Sequence, residues 1–131
     1  MAKGAETFAR ALVVLIAAAA TPAWAGPDFI MADTLTCTVE ASSTPTEIGR
    51  RFIVSGLTSA VPQAVFENYV RSSMPKVFES EKTLVIQLVA AISGSVDTIV
   101  IDKTSGRFAH TAAGSFLDVH AIAEVGTCRP D

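Results

Sequence analysis

The sequence predicts an all-β domain, a single antiparallel sheet of about seven or eight short strands, with closure into a small barrel as an open alternative. Three observations predict it. Apolar and polar residues alternate with a period of two at both ends of the chain, at Thr34–Ala41 and Phe116–Val125, as a half-buried strand requires. Short clusters of Gly, Ser and Pro recur between the apolar runs, which is turn chemistry. Two cysteines, Cys37 and Cys128, stand near the two ends of a chain that opens with an export leader.

The leader comes first. Lys3 and Arg10 form a basic region, Ala11 to Ala20 an apolar run, and Ala23-Trp24-Ala25 the small-x-small pattern cut by a signal peptidase. Residues 1–25 are therefore expected to be a signal peptide, cleaved after Ala25. Residues 26–131 then form one disulfide-stapled β domain, periplasmic or secreted, with 106 of the 131 residues and room for one modest core. No later stretch reaches the roughly 20 apolar residues of a membrane-spanning helix, so no membrane span is expected in the mature chain. Loss of Lys3, Glu6 and Arg10 takes the 13 acidic and 10 basic side chains to 12 and 8, a formal charge of −4. This acidity argues against nucleic acid as a partner. The adjacent Arg50-Arg51 reads as the polar start of a strand.

Along the mature chain, Leu35, Cys37, Val39 and Ala41 face one side of the first strand and Thr34, Thr36, Thr38 and Glu40 the other, which points Cys37 into the core. Ser42–Glu47, with Pro45, is a turn; Arg50–Ser55 is the next strand, ended by Gly56. Ser59–Arg71 reads as strand, bracketed by Pro62 and Pro75. The four-residue spacing of Val61, Val65 and Tyr69 keeps an α+β alternative, with one helix near 59–71, in play. Leu84–Val89 is a nearly continuous apolar run, expected of a central strand with little water on either face. Val96–Ile101 and Arg107–Ala112 form a hairpin joined by Asp102-Lys103-Thr104-Ser105-Gly106, where the Asp102 carboxylate stabilises the turn and Gly106 takes positive φ. In the last strand Leu117, Val119, Ala121, Ala123 and Val125 take one face. Phe116, Asp118, His120, Ile122 and Glu124 take the other, which sets His120 toward solvent.

Cys37 and Cys128 are the only cysteines, and an exported pair reads as a disulfide. A bond between them closes a 91-residue separation, worth about 4 to 5 kcal/mol on the chain-entropy account. It ties the first strand to the end of the last, where the sheet's two terminal edges are expected to meet.

Ile99-Val100-Ile101-Asp102-Lys103-Thr104-Ser105-Gly106-Arg107-Phe108, with the closing Gly126-Thr127-Cys128 and the early Thr36-Cys37-Thr38, resembles a pattern in small exported proteobacterial all-β proteins of unknown function. Those have a Thr-Cys-Thr strand and an Ile-Asp-basic-x-x-Gly hairpin closed by Gly-x-Cys. The resemblance covers about half of the mature chain. It implies an all-β exported domain and carries over no catalytic or binding residue.

Chemistry-bearing motifs are few. Ser73-Met74-Pro75-Lys76 matches the Ser-x-x-Lys of penicillin-binding enzymes, but Pro75 breaks the helix that spacing needs and no Ser-Asp-Asn follows. His110 and His120 are the only histidines. Asp118, His120 and Glu124 on one extended face are too spread for one metal ion. Asp97 and Asp102 fall on opposite faces of their strand. No catalytic residue, metal ligand or cofactor is therefore assigned, and the expectation is a non-catalytic binding or interaction domain of the bacterial envelope. Its partner would be an envelope protein, a glycan or a small apolar ligand held among aromatic side chains. The alternatives are a hydrolase inhibitor, for which Ser73, Pro75 and Lys76 form the candidate interaction loop, and a carrier of an apolar ligand.

Overall fold

The computed structural model describes residues 32–66, 71–115 and 117–131. The leader, its cleavage site and residues 67–70 and 116 lie outside the described residues. Nine antiparallel strands form one curled sheet, a half-barrel. They are β1 (Leu35–Ser42), β2 (Arg51–Ser55), β3 (Gln63–Phe66), β4 (Arg71–Ser73), β5 (Lys76–Glu79), β6 (Thr83–Ala90), β7 (Ser95–Asp102), β8 (Arg107–Gly114) and β9 (His120–Pro130). The all-β class holds. Gln63–Phe66 is strand, so the described part of 59–71 contains no helix, and the α+β alternative falls. The β-branched and aromatic residues there pair across β2, with Val65 opposite Ile53 and Phe66 opposite Phe52, and that pairing overrides the four-residue spacing.

The strand order is β4-β3-β2-β1-β9-β8-β7-β6-β5, so every neighbour is a sequence neighbour except β1 and β9. The first and last strands therefore meet in the middle of the sheet. The edges are β4 and β5, joined by only Met74 and Pro75. This corrects the expectation that the cysteines seal two terminal edges: Cys37 and Cys128 sit directly opposite each other on β1 and β9, fully buried, with their sulfurs 2.00 Å apart. The count of nine, against seven or eight, includes two short strands, β4 and β5, on either side of Pro75, which has no N–H to give a ladder. These two strands pair with opposite sides of the curl: Gln63 faces Ser73, and Lys76 faces Ile86.

The concave side holds the core. Leu35, Cys37 and Val39 of β1, as their alternation predicts, are buried, and so are Phe52, Val54, Leu84, Ile86, Ile99, Ile101 and Phe108. A register shift between Val39 and Ala41 takes Ala41 out of this face. β6 alternates more than expected, since Leu84 and Ile86 are buried while Val89 stands in solvent: the half-barrel covers only its inner side.

The two ends of the curl differ. Leu35, Val54, Leu84 and Ile101 fill one end, covered by Ala32 and Leu57. There the Leu57 and Thr58 amides donate to the Asp33 carbonyl and carboxylate at 3.1 Å each. β1 and β9 finish here with Leu35 opposite Pro130. Toward the other end the inward positions become Asp97, His110, Ala112, Ile122 and Glu124, and the concave face opens. This corrects the reading of the last strand. Leu117 and Val119 precede β9 and are exposed, and the inward face is Ile122, Glu124, Gly126 and Cys128. His120 is exposed, as expected, because it starts the strand at the open rim.

Candidate functional site: a charged pocket at the open end

Two local features build this pocket. The β1–β2 connection makes a single 3-10 turn at Pro45–Glu47, then reverses at Gly49, whose φ of +91° an L side chain rarely adopts. The Gly49 amide donates to the Val39 carbonyl at 2.8 Å and the Val39 amide to the Arg50 carbonyl at 2.9 Å. The connection is thereby pinned to β1, and Arg50 is carried over the concave face. The second feature is Gly126. A Cβ there would lie 1.9 Å from the Thr38 carbonyl oxygen and 2.7 Å from Phe108 Cε1, so only glycine admits both the β1 backbone and the Phe108 ring.

Phe108 starts a run of rings toward the pocket. Phe52 packs against it edge-on at 5.1 Å between centroids, Phe66 lies 5.1 Å from Phe52, and the His110 imidazole is 5.6 Å from Phe66. The Arg50 guanidinium sits 5.1 Å above the Phe66 ring, a cation–π distance.

The charges form one connected group. Cross-strand register sets His110 opposite both Glu124 and Ile99, so β9 and β7 flank it. His110 Nδ1 is 2.8 Å from Glu124 Oε1, and His110 Nε2 is 2.9 Å from Asp97 Oδ1. Arg50 donates through Nη2 to the same Glu124 oxygen, and its Nε lies 2.6 Å from Glu47 Oε2. That last approach is an ion contact only, because the N–H is not aimed at the carboxylate. The Glu124 side chain is fully buried, and its Oε2 has no hydrogen-bond partner among the described residues. A buried carboxylate persists only where positive charge and donors compensate it; Arg50 and His110 supply them.

Proton counting constrains the group. Two imidazole-to-carboxylate hydrogen bonds need two protons. Neutral imidazole brings one, so the second rides either on the ring, as imidazolium, or on a carboxyl group. Both ring nitrogens are engaged in either case.

Glu47, Arg50, Phe66, Asp97 and His110, with Ala112 and Ile122, line a pocket of about 390 Å³. That lies within the range of about 300–1,000 Å³ typical of small-molecule sites. One wall is apolar; the rest is charged and already paired within the protein.

The candidate interaction loop, Ser73, Pro75 and Lys76, lies elsewhere. Ser73 ends β4, and Lys76 begins β5 with its Nζ 3.1 Å from Glu79 Oε2. The expected projecting loop is instead a junction between strands. Met74 is fully buried and its amide donates to the Pro62 carbonyl at 2.8 Å, while the Lys76 amide donates to Ala60 at 3.1 Å and Pro75 accepts from the Gln87 amide at 3.1 Å. Asp97 and Asp102 do fall on opposite faces. Asp102 Oδ1 accepts from the Thr104 amide at 2.8 Å, the Thr104 hydroxyl at 2.6 Å and the Ser105 amide at 3.2 Å, which is the expected turn role. The Thr104 hydroxyl bond above all holds its carboxyl below the usual range.

Asp118, His120 and Glu124 are not brought together. Among the described residues no group of three or more His, Cys, Asp or Glu side chains is arranged to hold a metal ion. No described helix is long and apolar enough to cross a membrane. A cysteine pair at bonding distance is consistent with an extracellular location. Arg50, Asp97, His110 and Glu124 were not recognised as a site in the sequence. The one available signal was parity, since Glu124 and Ile122 share the strand face of Cys128. No family model matches the chain, and no curated protein or solved structure matches it.

Proposed function

We infer that the chain is an exported, non-catalytic binding domain of the bacterial envelope that uses the open end of its curled sheet to hold a small molecule. The observation that carries this reading is the pocket of about 390 Å³, walled on one side by Phe66, Ala112 and Ile122 and on the other by pre-ordered charges. A site whose polar groups are already fixed loses little freedom on binding. Two features favour binding over catalysis. Among the described residues the lining contains no hydroxyl or thiol nucleophile, and both His110 nitrogens are committed to carboxylates. The export part rests on the leader and on the Cys37–Cys128 pair. Of the partners the sequence leaves open, a small ligand fits best, although the charged lining favours a polar group at one end over a wholly apolar molecule.

Native mass spectrometry of protein exported by its host tests this reading. The expected species begins at Gly26, carries an intact disulfide and holds one small molecule, which Ala112→Trp removes by filling the pocket. Protein that retains Met1, or that binds nothing whether or not the pocket is filled, would refute it.

A further inference from the structure

We propose that the pocket selects a small organic cation, an ammonium or guanidinium group on a short apolar or aromatic body, with the charge at Asp97 and Glu47 and the body against Phe66, Ala112 and Ile122. This rests on the pocket being the binding surface and adds the ligand's charge.

Asp97, His110 and Glu124 with two bridging protons carry a total charge of −1, whether the second proton is on the imidazole or on a carboxyl group. Arg50 brings this to zero, and Glu47, in contact with Arg50, returns it to −1. One negative charge is left over, and it faces the open side. Glu124 is fully buried behind the ring run, whereas the side chains of Glu47 and Asp97 are 35% and 27% exposed.

Each of these two carboxylates has acceptor capacity to spare. A carboxylate offers about four lone-pair sites, and Asp97 uses Oδ1 for His110 while Glu47 meets Arg50 through Oε2. Arg50 does not make the pocket an anion site. Its guanidinium is shared between two carboxylates and lies over Phe66, so an anion entering the pocket would meet two acidic groups, Glu47 and Asp97, and only a neutralised cation. Phe66, with Ala112 and Ile122, adds apolar surface beside the carboxylates for the body of such a ligand.

Three probes of one shape test the proposal: benzylamine, protonated at neutral pH, benzyl alcohol and benzoate. They are titrated into the oxidised protein while the amide resonances of Ala112 and Ile122 are followed by NMR. Benzylamine is expected to bind at least about tenfold tighter than benzyl alcohol, and benzoate more weakly than either. Asp97→Asn, which keeps an oxygen for His110, is expected to abolish most of the cation preference, and Glu47→Gln to reduce it.

Equal binding of all three at these resonances would overturn the charge selection and leave the pocket reading standing. Tighter binding of benzoate would do the same and assign the selection to Arg50. If no probe moves these resonances at millimolar concentration, both readings fail. A cation preference that survives both Asp97→Asn and Glu47→Gln would also overturn the proposal, because these are the groups it assigns.

Discussion

Replacing Glu124 with Ala tests whether the buried charge group is a structural keystone of the open end. The substitution removes a fully buried carboxylate whose Oε1 accepts from both Arg50 and His110. Hydrogen bonds to charged partners contribute about 1.5–3 kcal/mol each, and breaking one side of a buried ion pair costs about 3–5 kcal/mol, because the remaining charge keeps its desolvation penalty. The two estimates agree, so Glu124→Ala is expected to lose about 3–5 kcal/mol, a large share of the stability of a domain this size. The assay is equilibrium unfolding in guanidinium chloride with the disulfide intact, followed by far-ultraviolet circular dichroism. The slope should be unchanged and the midpoint lower. Two companions sharpen the test. Arg50→Met alone should also destabilise, and in the pair Arg50→Met with Glu124→Leu the combined loss should fall well short of the sum of the single losses, since the double variant leaves neither charge of this pair behind. A loss below about 1 kcal/mol for Glu124→Ala, or additive losses in the double-mutant cycle, would refute the reasoning.

Two further predictions concern the frame around the pocket. Gly126→Ala should destabilise by about 3 kcal/mol or more in the same unfolding assay, because the new Cβ meets the Thr38 carbonyl at 1.9 Å, a backbone atom with no rotamer to escape into; wild-type stability would show that β1 and β9 are farther apart than described. The Asp102 carboxyl is held below its ordinary value of 3.8 by the Thr104 and Ser105 donors, so its folded-state value lies below its unfolded one. Its contribution is therefore present above that ordinary value and is lost as pH falls through the lower folded one. Asp102→Asn should flatten the acid limb of the stability profile by under about 1 kcal/mol, since the turn is exposed and screened. An unchanged acid limb would show that the turn bonds do not distinguish the two protonation states.

Much of the frame was legible because its signals are local. The alternation through Leu35, Cys37 and Val39, the Asp102–Gly106 turn with Gly106 at φ +75°, and the Cys37–Cys128 pairing all depend on a few adjacent residues or on a two-member count. The pocket depends instead on register. His110 reaches Glu124 only because β8 and β9 pair residue for residue from Arg107 and Thr127 to Gly114 and His120, and Arg50 reaches Glu124 across 74 positions through the β1–β9 contact. In β9 the alternation of residue type alone does not assign the inside. Ala121, Ala123 and Val125 form the more apolar face, yet the sheet buries the face with Glu124, because Cys128 fixes which side is inside and Arg50 and His110 compensate the carboxylate. The Ser73–Lys76 segment looked like a loop because Pro75 and two serines favour turns, whereas the backbone bonds of Met74, Pro75 and Lys76 to Pro62, Gln87 and Ala60 make it a seam.

The pairing of Leu35 with Pro130 has a practical consequence for orientation. The Asp131 amide donates to the Thr34 carbonyl at 3.1 Å, so the described chain enters and leaves side by side at the pole opposite Asp97, Ala112 and Ile122. A dye, affinity handle or solid support coupled beyond Asp131 would therefore leave from the far pole, with the mouth directed outward to whatever diffuses past.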